Sequence, residues 1–193
     1  MIMKSLITLI SLLVYTLPIN VETSPFVLEA NESKLTVSGT STLHPWEIEL
    51  EDMSCKANIE IQANLVQLFE LSFEAKAESL KSEHGRLMDK KTHKALKSEE
   101  YPKIIFTLKA PQELTLVNGS YSGVVKGELY MAGFRRDIDL KLSGTLENNI
   151  LSLNGEKSLL MTDYKMDPPT ALMGTVKTGN EVVIHYAIKL KSK

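Results

Sequence analysis

Alternation of apolar and polar residues runs through most of this chain and restricts what it can fold into. From Lys103 it sets Ile104, Phe106 and Leu108 on one phase. It resumes in Val125, Leu129 and Met131, continues in Ile138, Leu140 and Leu142, and closes the chain in Val182, Ile184, Tyr186, Ile188 and Leu190. Successive side chains of a strand leave on opposite faces, so each run reads as a half-buried strand of an antiparallel sheet. A sheet of this kind must cover its apolar face. With little helix available for the task, it curls on itself or packs on a second sheet. Closure of about eight strands leaves an interior wide enough for side chains or for one small ligand.

The remaining strands follow the same logic. They are expected at 26–30, 34–40, 46–50, 56–66 (with Ile59, Ile61 and Ala63 on one face), 71–79, 103–110, 120–131, 135–146, 150–157 and 181–189. Asn118-Gly119 and Asn148-Asn149 supply residues that tolerate positive φ and mark hairpins. A short helix is expected over residues 88–97, with Asp89 as a cap or first-turn acid and Pro102 beyond its end. A second non-strand stretch, 162–171, contains Pro168-Pro169. The apolar residues around it, Leu159, Leu160, Met161, Met166, Leu172 and Met173, predict a long loop that packs back onto the body.

The chain has 193 residues, a length that suits one domain. Its 22 basic and 24 acidic residues are scattered, with no basic block interleaved with aromatics, which argues against nucleic acid as a partner. Lys4 precedes an apolar run from Ser5 to Leu17 that ends at Pro18. The run is shorter than the ~20 residues needed to cross a bilayer and has the form of a secretory signal. The expectation is a signal over 1–22, a barrel domain over 23–193, and a periplasmic or otherwise exported product, monomeric or homodimeric. No cysteine lies near the end of the run, which argues against a lipid-modified N-terminus. Cys55 is the single cysteine, so no intramolecular disulfide can form and the core must hold the fold. Cys55 itself reads as a small buried hydrophobe.

Residues suited to chemistry are few. Asp89 and His93 share a helical face, but two ligands do not make a metal site, and no metal is expected. His185 falls out of phase with Ile184 and Tyr186 and reads as solvent-facing. His44 precedes Pro45-Trp46 and reads as a turn-fixing residue that hydrogen-bonds the backbone. No serine sits in a nucleophile elbow and no glycine-rich loop opens a helix, so no catalytic residue and no cofactor are assigned. Apolar side chains are abundant instead. Phase places Phe73, Phe106, Leu129, Met131, Ile138, Leu140, Ile184 and Tyr186 toward the interior, where they would line an elongated cavity.

Three segments carry a resemblance. Ser38-Gly39-Thr40-Ser41-Thr42-Leu43-His44-Pro45-Trp46 is similar to the G-T-S-x-x-H-D-W opening of the bacterial YceI-like family. Met88 to Leu96 followed by Tyr101-Pro102-Lys103-Ile104-Ile105-Phe106 resembles that family's helix and its y-P-x-I-x-F strand. Gly127-Glu128-Leu129-Tyr130-Met131-Ala132-Gly133 with Arg136 resembles its G-x-L-T-I-x-G-V-T-R hairpin. The likeness spans Phe26 to Leu190. It implies a lipocalin-like, extended antiparallel barrel, exported in several members, that holds a polyisoprenoid or similar amphiphile. The implied ligands are an isoprenoid quinone, a polyprenyl phosphate or another long-chain lipid. Carried over, a ligand-binding role falls on Trp46, Phe106, Leu129, Met131 and the strand after Arg136. Two departures stand out: Pro45 replaces an Asp, and Tyr130 and Ala132 replace Thr and a Val-like residue. Two other classes remain beside lipid binding. One is a filled barrel serving as a structural or protein-interaction module of the cell envelope, which exposed apolar residues in the 159–173 loop would favour. The other is an enzyme, which would need inward polar groups that the alternation does not supply.

Overall fold

The computed structural model describes residues 23–83 and 85–193; the segment read as a signal lies outside the described residues. In chain order the elements are β1 (Ser24–Leu28), β2 (Lys34–Ser41), β3 (Trp46–Leu50), β4 (Met53–Gln62), β5 (Leu65–Lys76), β6 (Leu80–Lys81), the helix α1 (Arg86–Leu96), β7 (Lys103–Leu108), β8 (Gln112–Thr115), β9 (Ser120–Met131), β10 (Phe134–Glu147), β11 (Ile150–Leu160), β12 (Thr170–Ala171) and β13 (Val176–Ser192).

These strands reduce to eight staves. β1 and β2 lie end to end along β13, separated by a single 3-10 turn at Ala30–Glu32. β3 and β4 form the next stave, broken at Glu51-Asp52, and pair with β2 and β1 respectively. β5 takes β4 on one side and both β7 and β8 on the other. The chain then runs up and down through β7, β9, β10, β11 and β13, and the β1–β13 pairing closes the ring. The result is an eight-stave antiparallel barrel of lipocalin-like topology with extra short strands and, among the described residues, one short α-helix. Closure removes the free edges that would otherwise invite pairing with other chains.

Local chemistry explains the turns. Asn118-Gly119 (φ 52° and 75°), Ala132-Gly133 (51° and 85°) and Asn148-Asn149 (51° and 60°) are paired left-handed residues. That geometry matches the right-handed twist of the flanking strands. The first and last of these turns are legible as Asn-led pairs.

Several boundaries differ from expectation. The strand expected to run on to Val66 instead ends at Gln62, and the chain reverses at Ala63-Asn64 with Gln62 opposite Leu65. Ala63 takes φ 49° there, a conformation that no glycine or proline announces. One extra residue at Phe69 then bulges β5: Asn58 faces Glu70, but Ile59 faces Leu68. The inward phase therefore switches from Val66 and Leu68 to Leu71 and Ala75, as a bulge requires. Ile61, expected to share a buried face with Ile59, is 39% exposed at the end of its hairpin. β8 was not expected; it buries Leu114 against the start of β5. β13 begins five residues before the expected strand at Glu181, because Val176 and Lys177 pair with β12.

The core is divided. At the end of the barrel carrying the 63–64, 118–119 and 148–149 turns, Phe26, Ile59, Val66, Leu68, Leu151 and Leu190 are at most 1% exposed and fill the bore. Each such side chain contributes about 1.5–3 kcal/mol on burial, which explains how the fold persists without a disulfide. The other half of the bore is hollow.

Candidate ligand-binding site

The hollow half is a cavity of about 470 Å3. Its floor is Val125, Leu142, Leu153 and Ile188, directly above the filled end. The volume lies within the ~300–1,000 Å3 range of small-molecule sites. Phe73 of β5, Phe106 of β7, Leu129 and Met131 of β9, Ile138 and Leu140 of β10, and Ile184 and Tyr186 of β13 all stand on its wall, and Trp46 of β3 stands near its mouth. Every residue that phase and resemblance assigned to a ligand thus shares one cavity. Sequence reasoning missed a further set: Val37, Ile48, Leu50 and Cys55 of the first two staves, Met88 and Ala95 of α1, and Met161 and Met166 of the loop after β11. Alternation marks the first four in retrospect. The helix and loop residues carry no periodic signal.

Two glycines make room for the largest side chains. The Phe106 ring lies against Gly127, where a Cβ would fall 2.1 Å from its Cζ. The Trp46 indole lies on Gly39, where a Cβ would fall 2.4 Å from its Cζ2. Trp46 is further held by its Nε1–H, which donates to the Thr40 carbonyl at 3.0 Å. The 41–45 turn beneath it is organised by Ser41 more than by His44. The Ser41 hydroxyl donates to His44 O at 2.8 Å and accepts from the N–H groups of Leu43 and His44 at 3.2 Å each. His44 adds a bond from Nδ1 to Pro45 O at 2.7 Å.

Polar groups at the wall are mostly engaged in the scaffold. The Tyr186 hydroxyl reaches across Gly155 and donates to Lys141 O at 2.8 Å, so its ring flank, not a free donor, meets the cavity. Lys91 of α1 donates to Thr170 O and ties the helix to β12. Asp89 accepts from the Ser82 N–H at 2.8 Å and His93 Nε2 donates to Leu80 O at 3.0 Å, so both expected helix-face residues anchor α1 to the segment before it. Among the described residues no group of three or more His, Cys, Asp or Glu side chains could hold a metal. His185 lies on the outer phase of β13, within 3.1 Å of Ser38 Oγ and 3.7 Å of Glu156. The loop after β11 packs back through Met161, Tyr164 and Met166, all buried, as is Leu159, but Leu160, Leu172 and Met173 do not: they are exposed.

Burial pushes the Cys55 thiol up to about 12. A protonated thiol is a poor nucleophile, so Cys55 is wall and not chemistry. The shift has a signed consequence. In the unfolded chain the thiol ionises near 8.5, so above that pH the unfolded chain has lost a proton that the native state retains. Stability therefore falls as pH rises, by up to ~1.4 kcal/mol per pH unit for one group. Burial also raises Tyr164 and Tyr186 to about 12, and they add the same slope once the unfolded tyrosines begin to ionise. Urea melts at successive pH values should show a decline that begins near pH 9. Cys55→Ala should delay its onset toward pH 10; an unchanged onset would refute the assignment to Cys55.

A closed eight-stave barrel, solid at one end and hollow at the other with an apolar bore, defines a lipocalin-like container. Residues 26–190 match the YceI-like domain, and the chain belongs to that family. Comparison with curated proteins gives no match. Among solved structures, the chain resembles Burkholderia cenocepacia BcnA (13% identity, 84% of this chain and 98% of that one, TM-score 0.63). It is also similar to a Saccharophagus degradans domain described as polyisoprenoid-binding and implicated in plant cell wall breakdown (11% identity, 89% of this chain and 100% of that one, TM-score 0.65). A Campylobacter jejuni YCEI protein shares 16% identity over 99% of both chains, with a TM-score of 0.55. At these identities the likeness establishes the common barrel.

Proposed function

We propose that this protein binds a long, flexible apolar molecule in the hollow half of its barrel and carries or stores it outside the cytoplasm, without chemical conversion. The ligand class is an isoprenoid quinone, a polyprenyl phosphate or a comparable long-chain lipid. The observation that carries the reading is the cavity: about 470 Å3, walled almost wholly by aliphatic, aromatic and methionine side chains. At ~0.8 kcal/mol per buried methylene-sized group, each five-carbon unit contributes roughly 3–4 kcal/mol. Ordering the tail offsets much of that, yet three or four buried units still support micromolar or tighter binding. Flexible methionines tolerate variation in the tail, so selectivity for tail length should be loose. The Saccharophagus degradans relative supports the isoprenoid class. The apolar run from Ser5 to Leu17 after Lys4 supports export.

The competing reading, a filled barrel acting as an interaction module, has one observation in its favour: Leu172 and Met173 are exposed. The hollow bore weighs against it. Native mass spectrometry of protein recovered from its own cells, followed by organic extraction, discriminates. A co-purifying species with five-carbon mass increments is expected, together with a mature N-terminus that lacks Met1. A ligand-free protein that takes up neither isoprenoid quinones nor polyprenyl phosphates would refute lipid binding, and an intact Met1 on cytoplasmic protein would refute export.

A further inference from the structure

The most exposed large apolar side chains cluster. Leu43 is 67% exposed, Leu87 is 69%, Leu172 is 73%, and Met173 is fully exposed. Leu43 and Leu87 belong to the cavity lining, so they mark its mouth. Leu172 and Met173 sit at the tip of the hairpin between β12 and β13. Hydrogen bonds lash these segments together. The Thr42 N–H donates to Lys177 O at 3.0 Å, the Lys177 N–H donates to Thr42 Oγ1 at 3.2 Å, and Lys91 Nζ donates to Thr170 O. Turn, helix and hairpin therefore form one rim around one opening. Val117, the remaining large apolar residue of similar exposure, lies at the opposite, filled end.

The backbone at the hairpin tip is unusual as well. Leu172 and Met173 take φ 47° and 55° before Gly174 at 89°. Left-handed backbone is costly for bulky residues, yet here it holds two apolar side chains away from the body. The charge of α1 is one-sided as well. Arg86, Lys90, Lys91 and Lys94 outnumber its one acid, Asp89, whose carboxylate accepts from the Ser82 N–H, and Lys177 adds a cation beside the turn. The chain as a whole has a net charge of -2. Exposed apolar residues beside a lysine- and arginine-rich helix are the chemistry of an element that seats in the headgroup layer of an anionic bilayer.

We infer that the rim formed by Leu43, Leu87, Leu172 and Met173 docks on the surface of an anionic lipid bilayer, mouth down, so that the cavity opens onto the acyl layer. This inference rests on the reading of the cavity as a lipid site. Docking lets an apolar ligand pass between membrane and bore without crossing water, which is the step that would otherwise limit exchange. The lysines and arginine supply long-range attraction and orientation, and the four apolar side chains supply insertion.

The test is co-sedimentation of protein recovered from its own cells with phosphatidylcholine vesicles, with and without about 30 mol% phosphatidylglycerol, at low and high salt. A parallel assay measures uptake of an isoprenoid quinone presented in detergent micelles, where no bilayer is present. Partition onto anionic vesicles is expected to exceed that onto neutral ones at least tenfold and to weaken with salt. The double variant Leu172→Ser with Met173→Ser should lose at least tenfold in vesicle partition. Lys90→Glu with Lys94→Glu should abolish the preference for anionic lipid. None of these four residues belongs to the cavity wall, so both variants should take up quinone from micelles as before. Val117→Ser should change neither assay. Equal vesicle binding by the Leu172/Met173 variant, or quinone uptake with no vesicle association at all, overturns docking; the latter result would assign the rim to a protein partner. Vesicle association that depends on these residues while micellar uptake is absent supports docking and overturns the lipid-cavity reading.

Discussion

Leu129→Trp is expected to abolish high-affinity ligand uptake while leaving the barrel folded. Leu129 sits near the end of β9, opposite Phe106, 5% exposed and on the cavity wall. An indole at this position extends into empty space and not into packed neighbours, so the usual overpacking cost of ~1–3 kcal/mol should be largely avoided. It occupies volume that a ligand would need. Excluding a single five-carbon unit forfeits roughly 3 kcal/mol, which corresponds to about a hundredfold in Kd. Titration of wild type and variant with an isoprenoid quinone, alongside urea melts, checks both halves. Full-strength binding by a folded variant would place the ligand elsewhere. If the variant fails to fold, Ile184→Phe on the facing wall offers a smaller intrusion with the same expected direction.

Trp46→Ala should produce the largest loss of stability among the residues near the mouth. The indole is only partly buried, so the expected cost is about 3 kcal/mol, at the lower end of the ~3–5 kcal/mol range for aromatic truncation. The loss has two sources. A void opens over Gly39, whose missing Cβ exists to admit the ring, and the Thr40 carbonyl loses the Nε1–H donor. Ser41→Ala should cost about 1–2 kcal/mol, because one hydroxyl serves three backbone groups of the turn. His44→Ala should cost less than Ser41→Ala, because its bond to Pro45 O lies on an exposed turn. Urea midpoints rank the three. A Trp46→Ala midpoint equal to wild type would mean that the turn does not depend on the indole.

Much of the architecture is readable from period-two alternation, because a residue's face within a strand follows from counting along it. Phe106, Leu129, Met131, Ile138, Leu140, Ile184 and Tyr186 reach the cavity wall for that reason alone. The Asn-Gly and Asn-Asn turns are readable because few residues accept positive φ. The reversal at Ala63-Asn64 is not, since alanine advertises no such preference and the pairing of Gln62 with Leu65 is imposed by the neighbouring staves. The Phe69 bulge is hidden for the same reason, and it shifts the inward phase along β5. Ser41 was overlooked beside His44 because a serine in a turn looks ordinary until its three hydrogen bonds are seen together.

From sequence follow most strand phases, the antiparallel meander, the helix after β6 and the part of the wall that the later strands supply. Only the tertiary structure decides which part of the bore is solid. Leu151 and Leu153 lie two residues apart on one face of β11, and Leu190 and Ile188 do the same on β13. The first of each pair is fully buried in the plug, while the second forms the cavity floor. Chemistry and periodicity cannot separate them. What differs is how much side chain arrives from the opposite staves, and that is a sum over strands distant in sequence. The mouth is decided in the same way, because α1 and the β12–β13 hairpin stand over it through contacts between Lys91 and Thr170 that no local pattern encodes.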